Sequence, residues 1–167
     1  AKAASFGATI GRFANRIANG KFLLDEDSVQ LDINSGMHTI HGGSMGWQNQ
    51  VYSAEQPSDS SLVLTYTSAD GEAGFPGEVK AEVTYTLGYD NSLRIAYRAT
   101  TDKKTVINMT NHSFFNLNGD PQINILDHEL YVSADYFTPL TEGLISTGDV
   151  FELAEIGSAR VGKECRS

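Results

Sequence analysis

The sequence predicts an all-β fold, an antiparallel β-sandwich, and three observations carry that expectation. Apolar residues recur with a period of two, turn-forming Gly, Asn, Asp and Ser clusters interrupt them at short intervals, and no segment holds a capped 3.6-residue apolar period. Many short strands with such turns are the pattern of a sandwich or barrel, and helices are expected to be short or absent.

The alternation is clearest from Gly77 to Leu87, where Val79, Ala81, Val83, Tyr85 and Leu87 share one face and Lys80, Glu82, Thr84 and Thr86 the other. Gly88-Tyr89-Asp90-Asn91 supplies a turn, and Leu93, Ile95, Tyr97 and Ala99 resume the pattern, which predicts a hairpin. Val51 to Glu55 and Leu62 to Thr67 read as a second pair around Pro57-Ser58-Asp59-Ser60-Ser61. Phe22 to Leu24 and Val29 to Ile33 flank the acidic turn Asp25-Glu26-Asp27. Thr105 to Phe115 and His128 to Ser133 complete the expected strands. Without an internal repeat or linker, residues 1–167 are expected to form a single domain. The tail 155–167 is poor in large apolar residues and is expected to pack poorly.

Composition narrows the function. The chain has 167 residues with 12 basic and 21 acidic side chains, a net charge of −9, which opposes nucleic acid and anionic membrane as main partners. No apolar run is long enough to span a bilayer, and the first residues lack the charged-then-apolar pattern of a signal peptide, so neither a span nor a leader is expected from these residues. The lone Cys165 excludes an internal disulfide framework, so a reducing, cytoplasmic location is expected. The chain starts at Ala1 without a methionine.

Four stretches are rich in groups that can do chemistry. Thr110-Asn111-His112-Ser113 ends an apolar run on a histidine, and an imidazole exchanges protons near neutrality. His112 has two readings: a proton donor on a pocket wall, or a histidine hydrogen-bonded at a sheet end. His38-Thr39-Ile40-His41-Gly42-Gly43 sets His41 before two glycines, which let the backbone turn sharply or approach a ligand. A catalytic zinc wants three protein ligands and no third accompanies His38 and His41, so no metal is expected. In Gly11-Arg12-Phe13-Ala14-Asn15-Arg16-Ile17, Arg16 offers a planar fork of donors and Asn15 an amide matched to hydroxyls. Asp70-Gly71-Glu72-Ala73-Gly74-Phe75-Pro76-Gly77 reads as a structural loop. Trp47, Tyr52 and Phe75 read as core filling rather than as platforms for a sugar ring.

Taken in chain order, these stretches, with Leu126-Asp127-His128-Glu129-Leu130 and Ala134-Asp135-Tyr136-Phe137-Thr138-Pro139, resemble the aldose 1-epimerase (galactose mutarotase) family over roughly residues 5 to 150. The resemblance implies a galactose mutarotase-like β-supersandwich, here incomplete. It implies an isomerase of carbohydrate metabolism that interconverts the α and β anomers of galactose or glucose by acid/base ring opening without a cofactor. It assigns His112 as general acid and Asn15, Arg16 and His41 as hexose ligands. The family's base glutamate belongs to a C-terminal portion beyond the matched residues, so the isolated chain is expected to be impaired. The alternative is a non-catalytic sugar-binding module on the same fold. Ile40, where the family usually has leucine, and Gln48-Asn49-Gln50, where it is usually basic, are expected not to touch the chemistry. Half a sandwich leaves open strand edges, so self-association or pairing with a complementary C-terminal fragment is also expected.

Overall fold

The computed structural model describes residues 5–129 and 133–153; the tail 155–167 and residues 130–132 of the expected 128–133 strand lie outside it. Two compact units divide the chain, Ala1–Ser113 and Phe114–Ser167. Among the described residues regular structure is almost all strand, with three single 3-10 turns at Ala18–Gly20, Trp47–Asn49 and Glu72–Gly74.

In the first unit, β1 is Thr9–Ile10, β2 Arg16–Ile17, β3 Lys21–Leu24, β4 Asp27–Gln30 and β5 Thr39–Ile40. Then come β6 (Ser53–Ser58), β7 (Ser61–Ser68), β8 (Val79–Leu87), β9 (Leu93–Thr101) and β10 (Thr110–Asn111). The β6-β7-β8-β9 meander forms a four-stranded antiparallel sheet. Its register matches the period-two reading: Tyr66, Ala81 and Ala99 stand in one row, and Leu64, Val83 and Tyr97 in the next. The opposite face carries Thr67, Lys80 and Thr100, then Thr65, Glu82 and Arg98, and stays polar.

The apolar face is covered by residues from the shorter segments. Trp47, Val79 and Ala81 form the buried cluster, with Tyr52, Tyr66, Ala99 and Met109 packed around it. Trp47 lies flat against Gly11, where a Cβ would stand 2.1 Å from the indole, so that backbone needs glycine for close approach. Trp47 and Phe75 are each 1% exposed, as core residues should be. Three antiparallel pairs, β1–β10, β2–β5 and β3–β4, complete the unit.

The Thr105 to Phe115 strand is a correction. Only Thr110–Asn111 pairs as a strand, Ile10 facing Thr110 and Thr9 facing Asn111, while Asn108 makes a single parallel bridge to Phe13. A chain that meets one neighbour antiparallel and then parallel cannot keep a continuous ladder. Past Asn111 the side-chain Oδ1 takes the Ser113 N–H at 2.9 Å, which ends the strand in an Asx turn. The β6–β7 turn is also tighter than expected, since Pro57 and Ser58 belong to β6 and the ladder is irregular between Glu55 and Ser58.

In the second unit, β11 (Tyr136–Phe137) pairs antiparallel with β12 (Phe151–Glu152), with the Phe137 and Phe151 rings 5.8 Å apart. There His128 accepts the Leu117 N–H on Nε2 at 2.9 Å.

Candidate functional site

Two strand pairs bring the predicted residues together. β2 and β5 pair with Arg16 opposite Ile40, which sets Asn15 beside His41. The His41 N–H donates to the Asn15 carbonyl at 3.0 Å, and the Asn15 N–H donates back to His41 Nδ1 at 3.1 Å. A nitrogen that accepts a hydrogen bond carries no proton, so the neutral ring holds its proton on Nε2 and presents an N–H donor there. This tautomer is assigned from the bond at Nδ1.

The turn after β5 is strained in a directed way. The Gly43 N–H closes onto the Ile40 carbonyl at 3.1 Å, and the two residues between, His41 and Gly42, have φ of 53° and 80°. Positive φ at both central positions is the type I′ pattern, comfortable for glycine and costly for histidine by about 1–3 kcal/mol. A Cβ at Gly42 would stand 2.0 Å from the Gly11 carbonyl oxygen, so this close approach admits glycine only.

His112 arrives on β10. Its N–H donates to the Ala8 carbonyl at 2.9 Å and its carbonyl accepts the Gly7 N–H at 3.0 Å, which fixes the backbone on both sides. The Asn111 amide adds bonds to the Gly7 carbonyl at 3.2 Å and to Tyr85 Oη at 3.3 Å. The His41 and His112 rings meet edge to face, centroids 5.1 Å apart and planes at 90°. Burial, and then the nearby positive charges of His112 and Arg16, hold His41 below the ordinary imidazole range. The cluster therefore combines a neutral imidazole donor, a second imidazole and a nearby guanidinium, a set suited to hydroxyl and ring oxygens.

A cleft of about 530 Å³ opens beside His41, a size common for small-molecule sites. Its walls include Phe6, Ala8, Asn34, Ile40, Ser44, Gln48 and Asn49. Ile40, Gln48 and Asn49, expected not to touch the chemistry, border the same cleft as His41. His38 stands apart in role: its Nδ1 accepts the Asn19 N–H at 3.0 Å. Among the described residues no group of three His, Cys, Asp or Glu side chains could hold a metal ion.

The family model described as aldose 1-epimerase matches residues 1–159. The chain belongs to the aldose 1-epimerase family. It is 45% identical over 145 residues to a galactose mutarotase of Sus scrofa, covering 87% of this chain and 42% of that protein. It is 42% identical over 142 residues to an aldose 1-epimerase of Escherichia coli, covering 85% and 41%. Among solved structures, a GalM/aldose epimerase homologue from C. elegans superposes with a TM-score of 0.84 at 31% identity, over 92% of this chain and 47% of its own. A galactose 1-epimerase from Lactobacillus acidophilus gives 0.81 at 30% identity. This aldose 1-epimerase family chain spans about two-fifths of the length of the curated relatives it matches, and the fold is the galactose mutarotase-like all-β fold.

Sequence reasoning missed one residue that organises the family segment Gly11 to Ile17. Arg12, not Arg16, is the buried arginine, 1% exposed. Its guanidinium donates to the carbonyls of Pro76, Gly77 and Ala69 at 2.9, 2.8 and 3.0 Å and to Ser68 Oγ at 2.6 Å, and lies over the Phe75 ring. Ser68 and Tyr66 each donate to Glu72 at 2.6 Å. The loop 70–77 is structural, as expected, and Arg12 is what pins it. A charge between Gly11 and Phe13 was the only signal in the sequence.

Proposed function

We propose that the chain binds a hexose through Arg16, Asn15 and His41, and that His112 is the general acid of anomer interconversion. In this reading His112 gives a proton to the ring oxygen while a base removes the proton of the anomeric hydroxyl. The bond between the anomeric carbon and the ring oxygen breaks and the free aldehyde forms. Rotation about the bond to that carbon and reclosure give the other anomer, and both protons return. Positioned proton transfer of this kind contributes about 10²–10⁴-fold. The observation that carries the reading is the contact of the His41 and His112 rings beside Asn15, built from residues distant in sequence.

The base, by family resemblance, is a glutamate of the C-terminal portion. Glu72 does not suit the part, because both its carboxylate oxygens already accept bonds at 2.6 Å. We therefore expect little acceleration by the 167 residues alone and weak hexose binding. Polarimetry of freshly dissolved α-D-galactose or α-D-glucose tests this, and family-like rates from the purified chain would overturn it. Joined to the C-terminal portion of a relative, the chain should become active, and His112→Ala should then lower the rate by about 10²-fold or more. An unchanged rate in that variant removes His112 from the mechanism. A cytoplasmic place of action goes with this reading, supported by the lone Cys165.

A further inference from the structure

The His41 turn needs something to hold it, and the β2 side supplies only half. Backbone groups of a strand alternate in direction, and the His41 N–H already points to β2 through its bond to Asn15. The N–H and carbonyl of the preceding Ile40 therefore face the other way, where no strand of the described residues pairs with β5. The Asn34 side chain takes that place. Its Oδ1 accepts the Ile40 N–H at 2.8 Å and its Nδ2 donates to the Ile40 carbonyl at 2.9 Å, as a neighbouring strand would. Asn34 is itself set by a small closed turn: the N–H groups of Asn34 and Ser35 donate to the His38 carbonyl at 3.3 and 3.0 Å, and the His38 N–H to the Ser35 carbonyl at 2.9 Å.

We propose that Asn34 is a positioning residue that holds Ile40 from the side opposite β2 and so keeps His41 in its left-handed turn with the imidazole against Asn15. Its relevance to sugar binding rests on the reading of His41 as a hexose ligand. A histidine is disfavoured at positive φ, and the Ile40 carbonyl is the acceptor on which the turn closes. Two bonds to Ile40 from a rigid amide resist relaxation of that corner. Without them His41 is free to leave the left-handed region, and Nδ1 parts from the Asn15 N–H.

Proton–nitrogen NMR of the histidine rings in the full 167-residue chain tests this, with His41→Gln assigning the signal and His128 as internal reference. The wild type should show a single tautomer with an accepting Nδ1 and a protonated Nε2. Asn34→Ala should shift His41 toward mixed tautomers, leave His128 unchanged, and weaken D-galactose binding by about tenfold. An unchanged His41 signature in folded Asn34→Ala overturns the proposal. If that variant does not fold, Asn34→Asp decides: it keeps the acceptor for the Ile40 N–H and loses the donor to the carbonyl. The same tautomer change there supports the proposal and a wild-type ring spectrum overturns it. Wild type that does not bind D-galactose sinks the sugar reading, whereas the ring signals still decide the role of Asn34.

Discussion

His41 shows how a single residue can be specified by groups that lie on neither side of it in the sequence. Its backbone is held at positive φ, its ring nitrogen by Asn15, and its edge meets His112. Burial and neighbouring positive charge lower its pKa, so between that value and the unfolded value of about 6.5 the unfolded chain binds more protons than the folded one. The sign follows: stability is unaffected above that window, falls as pH drops through about 6.5, and levels off below the folded pKa. Melting temperatures measured from about pH 8 to about pH 5.5 should decline in the wild type, and the decline should be shallower in His41→Gln. Parallel curves would show that His41 is not the group responsible. The presence of His41 and His112 was legible from their motifs, but their contact was not. No spacing rule links positions so far apart.

Among the elements, the meander was the most legible because its alternation is long and its faces differ sharply in polarity. Its buried row, Val79, Ala81 and Val83, reads directly from the sequence. The short pairs were poorly legible, since two residues carry no period, and β10 depends on whether β1 comes alongside. The loop 70–77 was recognised as a loop but not for what anchors it. Arg12 makes that anchor with a planar fork that satisfies several carbonyls at once. Lysine keeps the charge but cannot reproduce the fork. Arg12→Lys should therefore destabilise the fold by about 2–4 kcal/mol in urea unfolding, leaving buried acceptors unpaired. A loss within about 0.5 kcal/mol would show that the loop holds without it.

For the molecule, the two edges of the sheet differ. β6 is exposed throughout, contains Pro57 and is irregular near its end, features that discourage further pairing. β9 is nine residues long and regular, and among the described residues it pairs only with β8. Near its start Leu93 and its partner Leu87 are 51% and 60% exposed. Such an edge favours the addition of a strand, whether from a second copy or from a complementary segment of the family fold. Light scattering after size exclusion should show mass rising with concentration for the 167-residue chain, and Leu93→Lys should suppress it. A constant monomer mass up to high concentration would refute self-association.

The sequence by itself determined the all-β class, the buried face of the long strands and the family, because period-two burial and ordered motifs are properties of neighbouring residues. It also named Asn15, Arg16, His41 and His112 as candidates. Only the tertiary structure decided that Asn34 substitutes for a strand beside β5, that Arg12 belongs to the loop rather than to the site, and that two imidazoles meet. Those arrangements depend on which backbone groups face each other across the fold, and hydrogen bonds between distant segments leave no local pattern to read.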